Sequence, residues 1–115
     1  MARRVARKAI FAAELPWTQI REYARAGAVS LLPVGSTEAH GPHLPLNVDV
    51  VISVEVCRRT ALRLTARGTP ALIFPPIAYA LTEFAAAFAG TVSVGRDATL
   101  AYLTEVLEEI GRAHV

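Results

Sequence analysis

Two short apolar runs limit what this chain can fold into: "AVSLLPV" over residues 28–34 and "PALIFPP" over residues 70–76. Neither alternates polar with apolar residues and each is stopped by proline, so each reads as a strand buried in a parallel sheet. Helical signals surround them. "PWTQIREYARAG" sets Pro16 in a first helical turn, places Trp17, Ile20, Tyr23 and Ala24 on one face, and stops at Gly27. "VDVVISVEV" is β-branched and suits a strand by propensity. Length and ending decide for a helix over 50–67, with Val54, Cys57, Ala61 and Leu64 on one stripe and Gly68 as the stop. "IAYALTEFAAAFAGTVSVG" reads as a long connection rich in small residues. Asp97 opens a last helix, with Leu100, Leu103, Val106, Leu107 and Ile110 expected on its inner face and Gly111 after it. Strand, loop, helix in succession predicts an α/β fold, an open three-layer sheet with parallel strands.

Open sheets of this kind bind ligands beyond the carboxyl ends of their strands. At such an end lies "PVGSTEAHGPHLPLNVD", residues 33–49, with two carboxylates and two histidines among glycines and prolines. In an extended segment residues i and i+2 point to one side, so Glu38 and His40 can grip one centre or two adjacent ones. The loop can return Asp49 to the same place. Carboxylate oxygen with imidazole nitrogen suits zinc or manganese, and glycine and proline restrict the loop that carries them. The residues alone leave a plainer reading open, in which the Glu-x-His pair is fortuitous and Asp49 caps its helix. His43 is expected as a packed or hydrogen-bonded loop histidine, Glu83 as a solvated carboxylate, Cys57 as core, and His114 as a frayed chain end.

Composition excludes several function classes. Hydrophobic residues make up 53% of the 115, which supplies a core and argues against disorder. The net charge of +2 is misleading, because Arg3, Arg4, Arg7 and Lys8 crowd the start; setting them aside from twelve basic residues against ten acidic ones turns the balance to −2. Residues 1–13 therefore read as a solvated basic tail and residues 14–115 as the domain, with no nucleic-acid face. The run "AIFAA" is too short for a signal peptide, and nothing approaches the roughly 20 apolar residues of a membrane span. A single cysteine gives neither a disulfide framework nor a CxxC site. A soluble, cytoplasmic chain without a membrane partner is expected.

The segment "LPVGSTEAHGPHLPLNVD" resembles the first signature of the creatininase (creatinine amidohydrolase) family, which reads roughly PxGSxEQHGPHLPLxTD. "PWTQIREYARAGAVSLL" is similar to the family's leading helix and first strand, and "FPPIAYALTEFAAAFAGTVSV" to its second block, so the resemblance covers about residues 14–111. Ala39 departs from the usual Gln, on a side chain that points away from its neighbours, and Ala80 from the usual Gly. The resemblance implies that Glu38, His40 and Asp49 are ligands of a binuclear metal centre, with Asp49 bridging. It further implies hydrolysis of a C–N amide bond of a small or cyclic amide, a zinc or manganese cofactor, and a homo-oligomer. No catalytic residue beyond the ligands is assigned. Known members act on creatinine, formamide-bearing intermediates, a peptide precursor of a redox cofactor and a keto-inositol ring, so the family does not select the substrate.

Family members are about twice this length and take further ligands from a later NxHGxN-like strand and loop. An incomplete N-terminal half, a fragment lacking the remaining ligands, is therefore expected, and His114 is not expected to replace them. The competing expectation is a non-catalytic metal-binding or assembly module.

Overall fold

The computed structural model describes residues 8–112. Strands β1 (Val29–Leu31) and β2 (Ala71–Ile73) pair in parallel, with Val29 opposite Ala71, Ser30 opposite Leu72 and Leu31 opposite Ile73. Helix α1 (Trp17–Arg25) precedes β1, α2 (Val48–Ala66) connects the strands, and α3 (Arg96–Arg112) follows β2. This is the parallel α/β order expected.

β2 is buried along its whole length, whereas β1 leaves Val29 exposed. The second edge of β2 explains the difference. The Ile73 amide donates to the Ile10 carbonyl at 2.9 Å, and Phe11 bridges Ile73 in parallel. Ala12 is buried and Phe11 packs on the core, so the chain is already structural before residue 13, where the solvated tail was expected to end. Arg3, Arg4 and Arg7 lie outside the described residues.

α2 begins at Val48, two residues before the expected start, with Asn47 at the cap position. Its apolar stripe meets the sheet as predicted: Ala61 is buried against Ala71 and Ile73, with Cys57 and Leu64 beside them. Burial pushes the Cys57 thiol up from its ordinary value, which fits a core residue.

Three expectations fail on the other helices. Trp17 is 69% exposed, and its ring carries the Arg21 guanidinium 4.7 Å from the centroid instead of facing the core. α3 runs from Arg96 through Gly111 to Arg112, so Gly111 does not stop it. Its presumed inner face is not buried either: Leu100 and Leu107 are exposed, and none of its described residues is buried. The physical reason is a lack of partners among the described residues. Its first turns, at Ala98, Tyr102 and Leu103, border a cleft against Pro76, Ile77 and Tyr79. The Cα radius of gyration is accordingly 16.6 Å, against about 13 Å for a compact chain of this length. Among the described residues no helix is long and apolar enough to cross a membrane.

Beyond their prolines the two strands stay in register. Gly35 N–H donates to Ile77 O at 2.8 Å and Ile77 N–H to Pro33 O at 2.9 Å. Val92 then bridges Thr37, and Ser93 bridges Ala80. The long connection after β2 is thus strapped along the loop after β1, which is where the candidate ligands lie.

Candidate metal centre

The loop after β1 is placed by backbone contacts that only certain residues allow. A Cβ on Gly35 would lie 2.7 Å from the Val50 amide nitrogen and 2.9 Å from the Asp49 carbonyl carbon, well inside contact distance. The missing side chain therefore lets the first turn of α2 sit directly on the loop. Asp49 is the acidic residue of that turn, and the cap reading fails because Asn47 holds the cap position. On the opposite side Thr37 Oγ1 donates to Ala78 O at 2.8 Å, and the Ala39 amide donates to Thr91 Oγ1 at 3.0 Å. The loop is held between a helix and a strap.

The three expected ligands converge. Glu38, His40 and Asp49 each offer one ligand atom, and these atoms lie within 4.8 Å of one another. His40 Nε2 is 3.3 Å from Asp49 Oδ1. The other ring nitrogen, Nδ1, is 3.2 Å from the Glu38 carbonyl. A carbonyl only accepts, so Nδ1 is the donor in that contact and Nε2 is the ring nitrogen that faces Asp49.

Two hydroxyls that the sequence did not single out complete the arrangement. Ser36 Oγ is in hydrogen-bonding contact with Glu38 Oε1 and donates to Asp49 Oδ2 at 2.8 Å. Thr82 Oγ1 donates to Glu38 Oε2 at 2.7 Å. Ser36 carried a local signal, since it precedes Glu38 by two in an extended segment and so points the same way. Thr82 carried none.

Electrostatically the site is acidic. Glu38 is only 6% exposed and Thr82 2%. Among the described residues neither carboxylate pairs with Lys or Arg. The hydrogen bond with Glu38 and then that with Ser36 hold the Asp49 carboxyl below its ordinary value, helped by His40 and opposed by partial desolvation. A cleft of about 380 Å³ opens beside Ser36, Asp49, Ser53 and Ala80.

The remaining candidates stand apart. His43 is exposed, its ring passing beside Gly41, so the packed position expected for it is not found. Glu83 is exposed in a short turn, as expected of a solvated carboxylate. His114 lies outside the described residues. Ala39 lines a different, apolar cleft with Leu46, Phe84 and Phe88.

A family model described as "Creatinine amidohydrolase" matches residues 13–115. The chain belongs to the creatininase family. It is 46% identical over 87 residues to a mycofactocin precursor peptide peptidase of Mycobacterium ulcerans (strain Agy99), covering 72% of this chain and 33% of that protein. To a creatinine amidohydrolase of Pseudomonas putida it is 32% identical over 106 residues, covering 91% and 41%. A solved structure named creatininase Mn superposes with a TM-score of 0.81 at 31% identity, over 92% of this chain and 42% of that one. A mutant creatininase of Zn-Zn type gives 0.75 at 30% identity, over 92% and 42%. The creatininase fold expected from the signature is therefore the fold observed, and the chain covers 33% and 41% of the length of these two curated relatives.

Proposed function

We propose that Glu38, His40 and Asp49 hold a divalent cation, zinc or manganese, in the hydrolytic centre of a metal-dependent amidohydrolase that cleaves an amide C–N bond. The observation that carries this reading is the buried Glu38 carboxylate beside a second carboxylate, with no Lys or Arg paired to either among the described residues. Burying a charge without a counter-charge is costly, and a cation between the ligands removes that cost. The donors fit. Ligand atoms around one zinc ion lie at most about 4.4 Å apart, so the 4.8 Å spread closes with a small shift, and the 3.3 Å between His40 and Asp49 already falls within it.

When bound, such a cation polarises the amide carbonyl and supplies a water that ionises near neutral pH. This chain's residues orient it. His40 presents Nε2 because its Nδ1 is engaged by the Glu38 carbonyl, and Ser36 stands between the two carboxylates. Three ligand groups suit one ion. In a binuclear centre Asp49 would be the carboxylate shared between the ions, since its two oxygens face different partners, His40 and Ser36, and a second ion would need ligands beyond these three.

The substrate is an amide, and the higher identity with the peptide peptidase than with the creatinine amidohydrolase favours a peptide over creatinine. Self-association belongs to the same reading, supported by Phe84 and Phe88 at 83% and 63% exposure. A cytoplasmic location agrees with the single, unpaired Cys57.

Metal content after dialysis tests the site, in the intact protein and in Glu38→Ala, His40→Ala and Asp49→Ala. Zinc or manganese retained by the wild type and lost in all three is expected, together with metal-dependent hydrolysis of a peptide substrate. Retention without hydrolysis of peptide, formamide or creatinine would instead identify a non-catalytic metal-binding module. Equal retention by the variants would remove these residues from the ligand set.

A further inference from the structure

Glu38 and Thr82 are the most deeply buried polar pair at the site, and they come from different loops. Thr82 Oγ1 donates to Glu38 Oε2 at 2.7 Å, while Glu38 Oε1 is on the side of Ser36 and Asp49. Thr82 is itself fixed: its amide donates to Ser93 Oγ at 3.0 Å, and Ser93 bridges Ala80 in the strap.

We propose that Thr82 is a positioning residue that makes Glu38 a one-oxygen metal ligand. The inference rests on the metal-site reading above. A carboxylate on a flexible side chain can offer either oxygen, or both. A hydroxyl carries a single proton, and Thr82 places that proton on Oε2. Oε2 is thereby committed to the wall, and Oε1 is left on the side of Ser36 and Asp49. Ser36 cannot do this, because its one proton is contested by Glu38 Oε1 and Asp49 Oδ2. Burial strengthens the constraint, since no water competes for an oxygen enclosed beside a residue only 2% exposed. A threonine suits the place: its methyl group fills space in the wall while its hydroxyl reaches the carboxylate.

The test is the affinity of the intact protein for manganese and zinc, measured by competition with a chromophoric chelator. Wild type is compared with Thr82→Val, Thr82→Ala and Thr82→Ser. Removing the hydroxyl weakens metal binding by about 10- to 100-fold, the usual cost of losing a group that orients a ligand. Thr82→Ser restores the wild-type affinity, which a purely steric role would not require. The electron paramagnetic resonance spectrum of bound manganese changes in Thr82→Val and returns to the wild-type form in Thr82→Ser. Thr82→Ala accompanies Thr82→Val so that a folded variant without the hydroxyl is at hand, and circular dichroism establishes folding. Wild-type affinity in a folded variant without the hydroxyl overturns the proposal, as does a Thr82→Ser variant as weak as Thr82→Val. A wild type that binds no metal defeats the metal-site reading itself, and this inference with it.

Discussion

The loop after β1 and helix α3 are opposites in the way they relate sequence to burial. The loop has no regular structure over most of its length, yet it holds the buried Gly35, Ser36 and Glu38, and its backbone is tied on both sides. α3 is regular from Arg96 to Arg112 and carries an apolar stripe, yet buries none of its described residues. Periodicity describes which side of a helix is apolar and says nothing about whether anything covers it. An irregular segment, by contrast, must have its backbone polar groups satisfied from elsewhere before it can be buried, so its burial is evidence of specific partners.

The sharpest way to break this contrast is at Gly35. Gly35→Ala puts a Cβ into the backbone of α2, and overpacking of that kind costs about 1–3 kcal/mol. Urea unfolding measures the loss, and metal titration should show weaker binding because the turn that carries Asp49 is displaced. A variant as stable as wild type would mean that the loop and helix are not held together as described. Next in size is Thr37→Val, which removes the donor to the Ala78 carbonyl. A loss of about 0.5–1.5 kcal/mol is expected from one such hydrogen bond, again by urea unfolding, with the fold unchanged by circular dichroism.

The other side of the contrast predicts small effects. Leu107 is 55% exposed on α3, so Leu107→Ala should change stability by no more than about 0.5 kcal/mol, since alanine also has the better helix propensity. A loss of several times that size would show that α3 is covered in solution, and a concentration dependence of the loss would identify the cover as another copy of the chain.

The smallest effect is expected where polar contacts are exposed. Hydrogen bonds from Arg58, then Arg59, lower the Glu55 carboxyl from 4.5 to about 2. A depressed acid stabilises the fold above its unfolded value and loses that contribution as pH falls from 4.5 toward 2. Solvent screens this pair, so Glu55→Gln should alter stability less than either loop variant, and the difference from wild type should shrink further in high salt and vanish in acid. A salt-independent loss equal to that of Thr37→Val would erase the distinction between buried and exposed ties.

Much of this was legible in the chain itself. The two apolar runs stopped by proline became the parallel pair, Cys57, Ala61 and Leu64 of the predicted stripe lie on the core face of α2, and the spacing of Glu38 and His40 placed two candidate ligands on one side. These are local facts, set by side-chain period and by where a backbone can bend. The signature segment likewise identified the family.

What tertiary structure alone decided are the meetings between distant segments. Phe11 lies against Ile73 because the buried strand needs a second neighbour, a demand that appears only once β1 has taken the first edge. Gly35 is required by the proximity of α2 rather than by its own conformation. Thr82 faces Glu38 across 44 positions of sequence because the strap folds back along the loop. A period in the sequence reports neighbours three or four residues away on a helix and two away on a strand. A hydrogen bond to a buried carboxylate depends on three-dimensional closure, and no pattern near Glu38 or Thr82 could announce it.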